Sequence, residues 1–202
     1  QIKQGNDKIE IDFEHDIKYF VPNKNSKISE QIAPKIQCLK VEDENPYVDT
    51  YLAIISGDVL AKIYNQYRTL LLEKNVRAFL RNKSKVNQRI MSTIKKTPEM
   101  FFSYNNGIST TASEVELKRT GRIQYITKLK DWQIVNGGQT TASIACATDC
   151  DLSKVFVQMK VSVVKNKEKY SEIVSSISKC ANSQTSIKLS DFDSGDEYLV
   201  KL

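Results

Sequence analysis

The chain's patterning predicts an α+β fold, a mixed and largely antiparallel sheet with helices packed on it. Three observations carry that prediction. Period-two alternation recurs in several runs, most clearly Val155, Val157, Met159, Val161 and Val163. Stripes of apolar residues spaced by three and four separate those runs, as in Leu60, Ile63, Tyr64, Tyr67 and Leu71. The stretch Trp132 to Ile144 passes from one period to the other across Gly137-Gly138, which reads as strand, tight turn, helix. With 202 residues, 40% of them apolar, the chain can bury a real core.

Residues 1–50 read as an N-terminal arm, irregular with short strands, because Pro22, Pro34 and Pro46 break any long element. Phe13, Tyr19, Phe20 and Val21 can supply a strand, and Ile36 to Val41 another. The α+β domain follows over 51–202. Val48 to Ile55 reads as a buried strand, with Ser56-Gly57-Asp58 turning it into a helix. Residues 73–80 suit a strand or its exit, and in a strand Asn75 and Arg77, two apart, would share one face. A helix is expected from Ser84 to Lys96, with Val86, Ile90 and Ile94 inward and Lys85, Arg89 and Lys96 outward, ended by Thr97-Pro98. Asn106-Gly107 marks a turn, and the aromatics before it (Phe101, Phe102, Tyr104) read as a core wedge or a base-stacking platform. Residues 108–136 read as an antiparallel meander. A helix over Gln139 to Thr148, the strand Val155 to Val164 and a helix over Lys167 to Ser178 complete the order, and a polar loop leads to Ser190.

Several function classes are disfavoured. No apolar run approaches the roughly 20 residues of a membrane helix, and no signal peptide opens the chain, so a cytoplasmic protein without membrane association is expected. Cys38, Cys146, Cys150 and Cys180 form no C-x-x-C and the one histidine is His15, so the cysteines read as buried structural thiols with neither a disulfide framework nor a zinc site. His15 would have to reach an active site from the arm, which argues against triad chemistry. The start at Gln1 suggests a piece of a longer protein.

The net charge is +6, and its placement is the informative part. Between Gln66 and Thr97 stand nine cations against one anion, Glu73, so the rest of the chain is slightly acidic. Such a concentrated basic segment is the footprint of a phosphate-rich partner, or else a solvated helix face. The paired glycines supply a second feature. They admit positive φ and close approach, and the first N–H groups of the helix that follows have no acceptor within it. With the positive end of the helix dipole behind them, such donors make an anion site, to which Gln139, Thr140 and Thr141 can add side-chain hydrogen bonds. No lysine follows as in a P-loop, and the spacing is not G-x-G-x-x-G.

Four segments taken together resemble the AIPR family, the abortive-infection phage-resistance proteins of bacteria: Asn75 to Leu80, Phe101 to Ile108, Gln133 to Thr140, and Ala181-Asn182-Ser183-Gln184. The resemblance runs from about residue 50 to 195 and implies a role in defence against phage, without supplying a reaction. Val135 to Thr140 is also similar, more distantly, to the strand-turn-helix of DGQHR and ParB-like domains, which would imply a ParB/DGQHR-like core. Here Thr140 stands where those domains carry an arginine and Asn136 where they carry an acid.

The expected activity is binding of nucleic acid, DNA before RNA, or of a nucleotide; no other cofactor is expected. The anion- or nucleic-acid-binding residues would be Asn75, Arg77, Arg81, Arg89, Asn105, Asn106, Asn136, Gly137, Gly138, Gln139, Thr140, Asn182 and Gln184. One alternative is a metal-dependent nuclease using the acidic group Asp191, Asp193, Asp196 and Glu197 beside Lys201. The other is a sensor or scaffold that recognises a phage or host protein.

Overall fold

The structure is a computed structural model that describes residues 9–17, 19–22, 29–32, 34–42, 44–72 and 85–183. Ten strands and five helices alternate along it: β1 (Glu10–Asp12), β2 (Tyr19–Pro22), β3 (Ser29–Ile32), β4 (Ile36–Lys40), β5 (Val48–Ser56), α1 (Gly57–Tyr67), α2 (Lys85–Lys96), α3 (Phe101–Tyr104), β6 (Ile108–Ala112), β7 (Glu114–Thr120), β8 (Ile123–Lys130), β9 (Gln133–Asn136), α4 (Gly138–Cys146), β10 (Phe156–Val164) and α5 (Tyr170–Ser183). The predicted α+β class holds. β2 and β3 form a separate two-stranded ribbon, while β1 and β4, from the stretch expected to be an irregular arm, join the main sheet.

The main sheet has eight strands in the order β1-β8-β4-β5-β10-β6-β9, with β7 on the other side of β8. All its strand pairs are antiparallel except β10 with β6. The expected meander over 108–136 is therefore only partly present. β7 and β8 do form a hairpin, but β9 leaves β8 and pairs with β6. The cause lies at Ser113, the one residue separating β6 from β7. One bent strand thus serves β10 and β9 with its first half and β8 with its second, which makes the sheet curl.

One face of the sheet closes the main core. Tyr51, Ala53 and Ile55 of β5 meet Val157, Met159, Val161 and Val163 of β10, with Leu60 and Ile63 of α1, Ile90 and Ile94 of α2, and Ile144 of α4 above them. The helical stripe of α1 is as the spacing predicts, whereas Val86 of α2, expected inward, is exposed. The opposite face carries a smaller cluster, where Val174, Ile173 and Ile177 of α5 pack on Val135, Val164 and Val48. β9 is therefore buried on both sides, Ile134 toward the main core and Val135 toward α5.

The sheet edge far from β9 is held by charge. Lys130 faces its direct partner Glu114 at 3.2 Å and Lys128 its direct partner Glu116 at 4.0 Å across β8 and β7, while Lys128 reaches diagonally to Glu10 of β1 at 2.5 Å. His15, in the turn after β1, is exposed and sits 2.9 Å from Asp12. The cysteines depart from expectation: Cys38 is buried, but Cys146 and Cys180 are exposed because they fall on the outer sides of α4 and α5.

Candidate nucleic-acid interface

The strand-turn-helix expected at the paired glycines is present. Gly137 has φ 88°, ψ 16°, the left-handed conformation that only glycine adopts without cost, and α4 starts at the next residue. The fit around it is close. A Cβ on Gly137 would lie 2.7 Å from Ile108 Cγ2 and 2.9 Å from the Gly107 carbonyl oxygen, and one on Gly107 would collide with the Gln158 carbonyl oxygen. Two glycines, one from the Asn106-Gly107 turn and one from the Gly137-Gly138 turn, thus let β9 and α4 seat against β6 and β10.

The chain around the turn is fixed by side-chain amides. Asn136 Nδ2 donates to the Ala181 carbonyl at 2.6 Å and to Asn182 Oδ1 at 3.2 Å. Asn182 Nδ2 donates back to the Val135 carbonyl and to Ser178 O, each at 2.7 Å. This reciprocal pair ties the end of β9 to the last turn of α5. It also assigns Asn136 and Asn182 a different task from the one expected, since their amides hold two elements together. Asn105 is similar: its Nδ2 donates to the Phe101 carbonyl at 3.1 Å and closes α3. Asn106 is exposed.

The first turn of α4 reaches the surface. Gly138 is buried, while Gly137, Gln139 and Thr140 are half-buried. The Gly137 carbonyl is taken by Thr141, through its N–H at 3.0 Å and its hydroxyl at 3.1 Å. Thr141 thereby closes the first turn and is not directed at a ligand. The donors this turn presents are its first main-chain N–H groups, with the half-buried side chain of Thr140 beside them.

The basic helix α2 packs directly against α4. Arg89, Lys95 and Lys96 are exposed on it, and none has a carboxylate partner among the described residues. Lys40, Lys118, Lys128, Lys130, Lys154 and Lys165 are ion-paired. Pairing with Asp49 raises the affinity of Lys40 for its proton, and in return the Lys165 and Lys40 ammonium groups hold the Asp49 carboxyl low despite its partial burial. The aromatics split: Phe101 is buried, and Phe102 and Tyr104 are exposed. Asn75, Arg77, Arg81, Gln184 and the acidic group Asp191, Asp193, Asp196 and Glu197 lie outside the described residues. So does the strand or strand exit expected over 73–80, although Leu72 just before it bridges in parallel to Ile134 of β9.

Three of the segments singled out in the sequence therefore meet at the end of β9, and the chain leading to the fourth passes beside it. Reciprocal amide bonding between residues 46 positions apart left no local signal, which is why the Asn136–Asn182 contact was not legible beforehand. No curated protein and no solved structure matches the chain. The AIPR protein family matches residues 72–202, a span that contains all four segments. The ParB and DGQHR likeness of the turn has no comparable support. The chain belongs to the AIPR family, and that membership implies a role in abortive-infection phage resistance.

Proposed function

We propose that this domain binds the phosphates of a nucleic acid, or of a nucleotide, at the first turn of α4, with the cations of α2 beside it. The observation that carries the reading is that Arg89, Lys95 and Lys96, exposed and without a carboxylate partner among the described residues, stand on the helix packed against α4. Exposed cations and a helix N-terminus each attract polyanions, and on one surface the two terms would act together. Asn136 and Asn182 act indirectly in this reading, by holding the turn.

The test is binding of a duplex, a single strand and ATP across a salt series. Each phosphate neutralised contributes about 0.9 to the slope of log affinity against log salt on duplex DNA. Arg89→Ala and Arg77→Ala should each weaken binding to all sequences alike and flatten that slope by about 1. Equal binding of variants and parent to all three probes refutes the proposal.

A further inference from the structure

α5 is attached to the sheet differently from the helices on the other face. Of its fourteen residues Val174 and Ser178 are buried, whereas the eleven of α1 bury Gly57, Val59, Leu60, Ala61 and Ile63. The apolar contacts of α5 come from its first two turns, where Tyr170, Ile173, Val174 and Ile177 pack with Val135, Val164 and Val48. From Ser178 onward the attachment is polar. Asn136 Nδ2 donates to the Ala181 carbonyl and to Asn182 Oδ1, and Asn182 Nδ2 donates to the carbonyls of Val135 and Ser178.

The sheet on that side is polar as well. Alternation along β10 puts Lys160 and Ser162 on the face of Val164, which α5 covers. Directly paired residues of neighbouring strands share a face, so the row through Ser162 runs Gln133, Thr111, Ser162, Thr50 and contains no apolar residue. Thr111 and Ser162 are buried in it, as Ser178 is on α5, and Thr111 Oγ1 has no hydrogen-bond partner among the described residues. A hydroxyl buried in this way weakens the docked state and recovers its bonding when water reaches it.

We propose that α5 is a releasable strap, which leaves the sheet as a unit while the main core stays folded. Release exposes the small cluster of Val135, Val164 and Val174 and returns a largely polar layer to water, which is the composition of a low-energy local opening. The opening reaches the glycine turn, because Asn136 loses both acceptors and Gly137, whose carbonyl takes the Thr141 N–H, is the next residue. The docked strap holds the first turn of α4 in its binding shape and release loosens it, a regulatory step that rests on the anion-binding reading above.

The experiment is native-state hydrogen exchange of the full chain in rising urea, with ATP binding measured in parallel by calorimetry. The amides of residues 174–183 are expected to open at lower free energy and with a shallower urea dependence than those of β5 and β10, and the Thr141 amide is expected to open with them. Asn182→Ala should speed exchange of both groups about tenfold and leave β5 and β10 unchanged, and Thr111→Val should slow α5 by a comparable factor. Exchange of α5 only through global unfolding, a Thr141 amide indifferent to Asn182→Ala, or an α5 indifferent to Thr111→Val overturns the strap. Saturating ATP should slow α5 exchange, by up to about 100-fold at a hundred times its dissociation constant. ATP that binds without slowing α5 overturns the regulatory step. Absence of ATP binding, with α5 opening as expected, overturns the anion-binding reading and that step with it, and supports release of the strap by itself.

Discussion

Replacing Gly137 by alanine should be among the most damaging single changes at the site, and its cost can be worked out from two separate contributions. The first is conformational: an L-residue at φ 88° costs about 1–2 kcal/mol. The second is steric, since the new methyl would press on Ile108 Cγ2 at 2.7 Å and the Gly107 carbonyl at 2.9 Å, where overpacking costs about 1–3 kcal/mol. The sum is about 2–5 kcal/mol, read as a lowered midpoint in equilibrium urea unfolding at unchanged m-value. Gly121 provides the internal control. It also has positive φ, 62°, but nothing lies within 4 Å of where its Cβ would be, so Gly121→Ala carries the conformational cost alone. The difference between the two variants isolates the close packing of the turn on β6. Equal losses in both would refute the reasoning, because they would mean that β9 and α4 are not seated against Gly107 and Ile108.

Three further outcomes follow from the geometry. In a double-mutant cycle, Asn136→Ala and Asn182→Ala should be non-additive by about 0.5–1.5 kcal/mol, since each removes the other's partner; additivity within about 0.3 kcal/mol would show that the amide pair is not coupled. Burial, with a smaller contribution from Asp131, pushes the Tyr170 phenol up to about 12. The unfolded chain therefore loses that proton first: the contribution is complete below about pH 10 and declines as pH rises through the folded value. Tyr170→Phe should flatten the alkaline unfolding profile between pH 10 and 12, and an unchanged profile would exclude Tyr170 as its source. Burial likewise pushes the Cys38 thiol up to about 11, so at pH 8 iodoacetamide should label exposed Cys146 and Cys180 first and Cys38 about 100-fold more slowly or less. Comparable labelling of all three would place Cys38 outside the core.

Local periodicity was enough to locate α1, α2, β10 and the turn at Gly137, because each buries one face against the core and writes that face into the sequence at its own period. It was not enough where partners lie far apart along the chain. The parallel pairing of β6 with β10 and the return of β9 to β6 depend on a bend at Ser113, a residue with no distinctive signature. Val86 sits in the apolar stripe of α2 yet stays exposed, since α2 extends past the surface that Ile90 and Ile94 cover. α5 continues through Ser183, beyond the expected end at Ser178, because Asn182 is retained by Val135 and Asn136 of a strand that sequence spacing could not bring to it.

The candidate site shows the same division. The glycine turn and the basic segment were each legible, the first from its backbone demands and the second from its charge. That α2 packs on α4 and leaves Arg89, Lys95 and Lys96 without carboxylate partners among the described residues emerges only from the fold. Without that adjacency a basic helix is an ordinary solvated surface and a glycine turn an ordinary connection.

The most direct test of the central claim is an amide chemical-shift titration of the full chain with a short single-stranded oligonucleotide, and separately with ATP, at low and moderate salt. Salt-sensitive shifts concentrated at Gly138, Gln139 and Thr140, extending to the Arg89 side chain and reduced by Arg89→Ala, are predicted. Shifts confined to other surfaces, or none with either ligand, would contradict the account.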